Sequence, residues 1–268
     1  MAPEPDPYAA LLADLADEHA ALDEVVRPLR AEEWGLATPS PGWSVRDQIG
    51  HLHHFDGTAH LSATDPTAFI AQRTQLLEHL TEAGIDDTTL AFARAVPPDE
   101  LLAAWRQGRD ALLAACATLG PKDRLEWYGP PMSAMSFVTA RLMETWAHGQ
   151  DVVDAIGGAR RPTDRLRHVA HLGVRTRAFS YAIRGMDPPL GEVRVELAAP
   201  SGASWEWGPA DAADRVRGAA VDFCFVVTQR RHRSETELQT VGPLATEWMA
   251  IAQAFAGGPS PGRSPKVG

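Results

Sequence analysis

Arg141-Leu142-Met143-Glu144-Thr145-Trp146-Ala147-His148-Gly149-Gln150-Asp151-Val152 lies near the middle of a 268-residue chain. It reads as the heart of a long helix. The surrounding segment, Ser133 to Ile156, is followed by Gly157-Gly158, the residue type that most easily takes the left-handed conformation beyond a helix C-terminus. Glu144 and His148 stand four residues apart, so their side chains rise from one face, one turn from each other. On an exposed helix such a pair contributes a few tenths of a kcal/mol and nothing else. Here Met143, Trp146 and Ala147 flank it with apolar bulk, and ionisable groups on such a face are seldom buried without a partner.

Three more long periodic segments surround this one. Tyr8 to Leu29 repeats Leu11, Leu12, Leu15, Leu22, Val25 and Val26 at three- and four-residue spacing, with His19 in register. After the TPSPG stretch, Ser44 is placed to cap a helix whose first turn carries Asp47 and which then carries His51, His53 and His54. Asp99 to Leu119 follows a Pro-Pro start signal and closes at Gly120-Pro121. Residues 65–95 read as irregular with one short helix, and 120–133 as a loop. Four long helices predict a bundle. A further helix is expected over Thr163 to Ile183. Beyond Gly185, Val193 to Leu197 and Ala203 to Trp207 alternate with the two-residue period of half-buried strands, and helices are expected near 218–228 and 242–255. The expected fold is mainly α: a helical bundle over residues 1–160, then a linker helix and a smaller α+β domain over 161–257, then a flexible tail over 258–268.

Composition narrows the function classes. A hydrophobic fraction of 44% and a charged fraction of 22% suit a globular core. A net charge of −10 argues against a nucleic-acid partner, which calls for a clustered basic surface. No uncharged run approaches the ~20 residues that span a bilayer, and the N-terminus lacks a basic stretch before an apolar one, so a cytoplasmic protein is expected. Cys116 and Cys224 fall inside apolar helical patterns and read as inert buried thiols. No heptad or edge-strand signal bears on oligomeric state.

Glu144 and His148 can reach one ion, and zinc accepts imidazole nitrogen and carboxylate oxygen. A third ligand is needed, and His51 is the best candidate because its helix can neighbour the Glu144 helix in a bundle. His53 and His54 point elsewhere on a 3.6-residue period, and His60, His168 and His171 read as non-ligands. Trp127, Tyr128 and Met132 precede the ligand helix and could line the mouth of a site.

Trp43-Ser44-Val45-Arg46-Asp47-Gln48-Ile49-Gly50-His51-Leu52, together with the Arg141 to Val152 segment, resembles the DinB-like superfamily, in particular the branch of mycothiol-dependent maleylpyruvate isomerase. The matching patterns are W-x-V-x-D-x-hydrophobic-x-H-L and E-x-x-x-H-x-x-D, and the resemblance covers about residues 8 to 160. It implies a DinB-like four-helix bundle with His51, Glu144 and His148 on zinc, or another divalent metal, completed by water. It also matches Asp151 to an acidic position that could orient a histidine. Val216 to Arg230 resembles the branch's C-terminal pattern, a Gly-led helix ending in Gly-Arg, with Gln229 standing where the family has Gly. Arg230 is therefore the candidate for catalysis and for binding substrate or thiol cofactor, since Arg suits bidentate carboxylate capture. A solvated helix end is the plainer alternative for Arg230 to Arg233.

The resemblance implies a zinc enzyme that uses a low-molecular-weight thiol such as mycothiol for isomerisation or S-transfer on a small electrophilic substrate. The Ala/Arg/Gly/Pro-heavy composition is that of a high-GC actinobacterium, the group that makes mycothiol. Two alternatives stay open: a hydrolase using zinc-activated water, and a non-catalytic metal-binding sensor or interaction protein.

Overall fold

The computed structural model describes residues 6–78, 84 and 86–265. It divides into two compact units, one running to Arg160 and the other from Arg161.

The first unit is helical. It contains α1 (Pro7–Val26), α2 (Val45–Thr64), α3 (Pro66–Glu78), α4 (Asp86–Thr89), α5 (Ala91–Ala95) and α6 (Pro98–Cys116). A hairpin of two-residue strands, β1 (Arg124–Leu125) and β2 (Met132–Ser133), leads into α7 (Ala134–Ala155). The long helices α1, α2, α6 and α7 form the bundle, with α2 packed on both α6 and α7, and α1 on α7. Leu22 and Val26 of α1, Val45, Ile49 and Leu52 of α2, Leu101, Leu102 and Trp105 of α6 and Val152 of α7 share one core cluster. Of the stretch 65–95, residues 79–83 and 85 lie outside the described residues, and the rest is mostly helical rather than irregular, carrying α3, α4 and α5 in place of one short helix. Their apolar pattern is sparse because few of their side chains are buried, chiefly Phe69 of α3 and Ala93 of α5, with Leu90 between α4 and α5.

Gly50 explains how α5 comes so close to α2. A Cβ there would lie 2.3 Å from the Cβ of Ala93. The sequence also folds α2 from its first residue: Ser44 Oγ accepts from the Asp47 amide, Asp47 Oδ2 accepts the Ser44 amide at 2.8 Å, and Asp47 Oδ1 accepts Arg94 Nε at 2.8 Å.

In the second unit, α8 (Leu166–Arg175) and α9 (Arg177–Ala182) occupy the segment expected to be one helix. The break falls at Thr176, whose hydroxyl donates to the carbonyls of Leu172 and Gly173. Strands β3 (Val193–Ala198), β4 (Ser204–Trp207), β5 (Asp214–Ala219) and β6 (Gln239–Val241) form one sheet in the order β4-β3-β5-β6. The β3–β5 pair is parallel, and the two outer pairs are antiparallel. α10 (Ala220–Val227) packs on α8, and α11 (Pro243–Ile251) on β5 and β6. The helix expected from Gly218 therefore starts two residues later, because Gly218 still pairs with Leu197 in the sheet. Through Arg263 the stretch that composition reads as solvated is held to this unit: Ser260 N donates to Gln253 Oε1, Arg184 to Ser260 O, and Arg263 to Arg230 O.

Two helices end in the same cap. After α7, Gly157 takes φ +65° and the amides of Gly157 and Gly158 return to the carbonyls of Asp154 and Val153. After α10, the amides of Gln229 and Arg230 return to Val226 and Phe225 in the same pattern, but the left-handed residue is Gln229, at φ +56°. A side chain there costs about 1–2 kcal/mol, and Gln229 offsets part of it by donating Nε2 to Ala252 O at 3.1 Å. Comparison of Gln229→Gly with Gln229→Ala removes that bond from both. The glycine variant is expected to be more stable by about 1 kcal/mol in urea unfolding, and equal stability would contradict the strain.

The bundle interior also carries a neutral imidazole. His19 is buried, neither ring nitrogen makes a hydrogen bond among the described residues, and burial, outweighing the Asp56 carboxylate 4.0 Å from Nε2, pushes its pKa down to about 4. A histidine with a lowered folded pKa binds fewer protons than its unfolded counterpart. Stability should therefore be complete near neutral pH and fall as pH drops from 6.5 towards 4, by about 3 kcal/mol from this residue. Urea unfolding between pH 7 and 4.5 should show that slope flattened in His19→Leu.

Candidate metal centre

The structure brings together the three residues expected to act as ligands. Helix α2 supplies His51, and α7 supplies Glu144 and His148. One donor atom from each lies within 4.8 Å of the others. Glu144 Oε2 is 3.1 Å from His148 Nε2 and 3.6 Å from His51 Nε2. Donors about 2.0–2.1 Å from a tetrahedral ion sit roughly 3.3 Å from one another, so two of the three separations already suit a shared ion. Two imidazoles and a carboxylate are also a donor set that zinc accepts with one position open. The side chains of His51, Glu144 and His148 are 18%, 21% and 10% exposed, so the cluster is neither sealed nor flat to solvent.

Burial alone would push the Glu144 carboxyl up. The hydrogen bonds from His148 and His51, and their charge, outweigh it and hold the group well below the usual range. Glu144 is thus an anion, the form a metal requires.

His148 is oriented by a residue that the sequence motif contains but does not single out. Its Nδ1 lies 2.5 Å from Gln48 Oε1, and the Gln48 amide nitrogen donates to Thr38 Oγ1 at 2.9 Å. Gln48 is fully buried. With the amide oxygen facing the ring, Nδ1 carries the proton and Nε2 keeps its lone pair towards Glu144 and His51. Asp151, the residue matched by pattern to this role, is fully buried and accepts from Ser40 Oγ at 2.9 Å. The spacing could have shown it: Gln48 lies one turn before His51 on the inward face of α2. Gln48→Leu keeps the bulk but removes the acceptor, and is expected to weaken zinc binding about 10- to 100-fold with the fold intact, as read by competition with a chromophoric chelator.

Aromatic rings close around the cluster. Trp43 lies against both imidazoles, with ring centroids 5.2 Å from His51 and 5.8 Å from His148, and donates its indole N–H to Asp86 at 2.7 Å. Phe55 packs on His51 at 4.5 Å, and Tyr128 and Trp127 pack on Phe55. The two loop aromatics thus meet the site through Phe55, a residue with no motif signal. Met132 pairs with Leu125 in the hairpin. His53 rests on Phe92, and His54 meets Phe55 edge-on, its pKa pushed down to about 4 by burial and by nearby positive charge. His171 Nδ1 accepts from Trp207. None of these three joins the cluster.

Below the site, Arg141 on α7 reaches Asp56 on α2. Nη2 and Nε lie 2.8 and 3.1 Å from Oδ1, while Trp105 Nε1 donates to Oδ2 at 3.2 Å. Both charges are buried, at 4% and 0% side-chain exposure. This pair ties the two ligand-bearing helices together.

A family model described as mycothiol maleylpyruvate isomerase N-terminal domain matches residues 15–153, just over half of the chain, and spans all three candidate ligands. The chain belongs to this family. Two relatives, both uncharacterized proteins from strains of Mycobacterium tuberculosis, are each 47% identical over 260 residues, covering 97% of this chain and 99% of theirs. Among solved structures, a mutant of mycothiol-dependent maleylpyruvate isomerase aligns with a TM-score of 0.59 at 15% identity, covering 88% of this chain and 93% of that one. The enzyme without that mutation aligns at 0.57 and 14%, with the same coverage. The family fold therefore extends across both units. A second model, described as wyosine base formation, matches only residues 190–236.

Arg230 stands in the second unit, just beyond the cap of α10. It is half-buried, and its Nη1 donates to the Thr228 carbonyl at 2.6 Å. Among the described residues, no helix is long and apolar enough to cross a membrane. Cys116 and Cys224 are free and buried, and burial pushes both thiols up.

Proposed function

We propose that this protein is a metal-dependent enzyme that uses a low-molecular-weight thiol, mycothiol or a close analogue, to isomerise a small electrophilic substrate or transfer sulfur to it. The observation that carries the reading is the convergence of His51, Glu144 and His148 from two helices onto one partly open point. Membership of a family named for a mycothiol-dependent isomerase supports the choice of thiol.

In this reading, His51, Glu144 and His148 hold zinc or another divalent ion. A bound ion of that kind supplies Lewis acidity, which favours the anionic form of a thiol or water near neutral pH. Gln48 keeps the His148 lone pair aimed at the ion, and Asp56 with Arg141 hold α2 and α7 in register. Trp43 and Phe55 limit access of water from the sides they cover, and favour a flat or conjugated substrate over a strongly hydrated one. Arg230 is proposed to bind a carboxylate of the substrate or of the thiol. We further propose a cytoplasmic location, where small thiols stay reduced.

Zinc-loaded protein should turn over small conjugated carbonyl substrates only when a thiol is present, and mycothiol should outperform cysteine. Turnover that is indifferent to thiol would replace this reading with a hydrolytic one using the same ligands. Zinc binding without turnover, at a site fully four-coordinate in protein donors, would replace it with a sensor.

A further inference from the structure

The two histidines of the metal centre are held in different ways. His148 has a hydrogen-bonding partner at its second ring nitrogen, the Gln48 amide oxygen. A metal-bound histidine ordinarily has such a partner, which fixes the tautomer and the direction of the lone pair. Among the described residues, none bonds Nδ1 of His51, whose Nε2 faces Glu144 Oε2 at 3.6 Å. Rings hold it instead. Phe55 lies 4.5 Å from the His51 ring, tilted by 47°, and Trp43 lies 5.2 Å away, tilted by 49°. Phe55 is one turn further along the same helix and moves with His51. Trp43 precedes the helix cap, so its grip depends on how the indole is anchored.

The Trp43 backbone is fixed by a turn, Ser40-Pro41-Gly42-Trp43. Its amide donates to Ser40 O at 3.1 Å, and Gly42 takes φ +78°, the conformation that a glycine in third place after a proline adopts readily. Its carbonyl accepts from the Thr38 amide and hydroxyl at 2.8 and 2.9 Å. None of these bonds restrains rotation of the half-buried indole. Asp86 does, by accepting the indole N–H at 2.7 Å, a hydrogen bond strengthened by the carboxylate charge. Asp86 opens α4 and is itself steadied by Arg94 on α5. The same guanidinium reaches Asp47 in the α2 cap at 2.8 Å and Asp87 at 3.9 Å. A path thus leaves the start of α2 through Arg94 and Asp86, and returns through the indole to the ligand on α2.

We propose that Asp86 is a positioning residue of the metal centre: it pins Trp43, and the pinned indole keeps the His51 imidazole turned towards Glu144 and His148. The inference rests on the reading of those three residues as metal ligands. Loss of Asp86 lets the indole turn away and leaves His51 a weaker ligand. The bundle stays intact, because Asp86 is half-buried and lies on none of its four long helices.

Zinc affinity of the full chain by chelator competition, with the visible absorption of the cobalt-loaded protein as a report on ligand geometry, tests it. Asp86→Ala should weaken zinc binding about tenfold, as expected for loss of an outer partner, and change the cobalt spectrum. Urea unfolding of the metal-free variant should stay near that of the parent. Asp86→Asn still offers the indole an oxygen and should bind zinc near the parent value. Trp43→Phe keeps a ring without the N–H, so it should match Asp86→Ala, and it serves alone if that variant does not fold. The double variant should be no weaker than either single one, because Asp86 acts through the indole. Zinc binding by the parent with unchanged affinity in Asp86→Ala and Trp43→Phe would overturn the proposal and leave the metal reading standing. Losses that add in the double variant, or Asp86→Asn as weak as Asp86→Ala, would do the same. No zinc bound by the parent would overturn both.

Discussion

Asp56→Ala is expected to lose about 3–5 kcal/mol of stability, because it leaves the Arg141 guanidinium buried with no counter-charge. Asp56 is fully buried and accepts from Arg141 and from Trp105, so removing it strands a cation and an indole N–H together. Arg141→Ala should cost a similar amount by stranding the carboxylate. The double replacement Asp56→Leu with Arg141→Met should recover most of the loss, since a buried pair is worth little more than an apolar pair of similar volume. Chemical unfolding of the parent and these three variants measures the losses and the recovery. A double variant no more stable than either single one would mean that the helices depend on the ion pair itself. Because the pair joins the helices that carry His51 and Glu144, the single variants should also bind zinc more weakly at temperatures where they remain folded.

His148→Ala is expected to reduce zinc affinity at least about a hundredfold, exceeding the 10- to 100-fold typical of losing an outer partner such as Gln48. Glu144→Ala should behave alike, and in each case thiol-dependent turnover should fall with metal occupancy. Losses in double variants should not add, because three donors act as one unit. Unchanged affinity in His148→Ala would leave the cluster as an ordinary hydrogen-bonded group. His54→Ala is the control: that ring packs beside Phe55, outside the cluster, and its removal should leave affinity near the parent value.

The helical framework was legible because its signals are local. Ser44 and Asp47 announce the start of α2, Gly157 the end of α7, and the period of leucines the faces between them. The i, i+4 pair on α7 is likewise a local fact. His51 could be joined to it only by assuming that α2 and α7 are neighbours, which they are. What could not be read was long-range. Asp56 and Arg141 lie 85 positions apart, and neither looks unusual in a string of letters. Phe55 and Trp43 shape the site through ring contacts that no spacing encodes. Asp151 shows what pattern leaves out: its place in the motif said nothing of the bond it accepts from Ser40, nor of Gln48 beside the His148 ring. In the second unit, Gly218 marked the change to α10 but belongs to β5, because a glycine that opens a helix and one that ends a strand look the same in sequence.

The central claim is that His51, Glu144 and His148 together bind one divalent ion. Zinc-edge X-ray absorption on protein loaded with one equivalent of zinc, with His148→Ala beside it, tests this most directly. The expected result is a first shell of two imidazoles and one carboxylate oxygen at about 2.0–2.2 Å with one exchangeable light atom, and loss of one imidazole in the variant. A zinc spectrum identical in parent and variant, or no zinc retained by the parent, would contradict it.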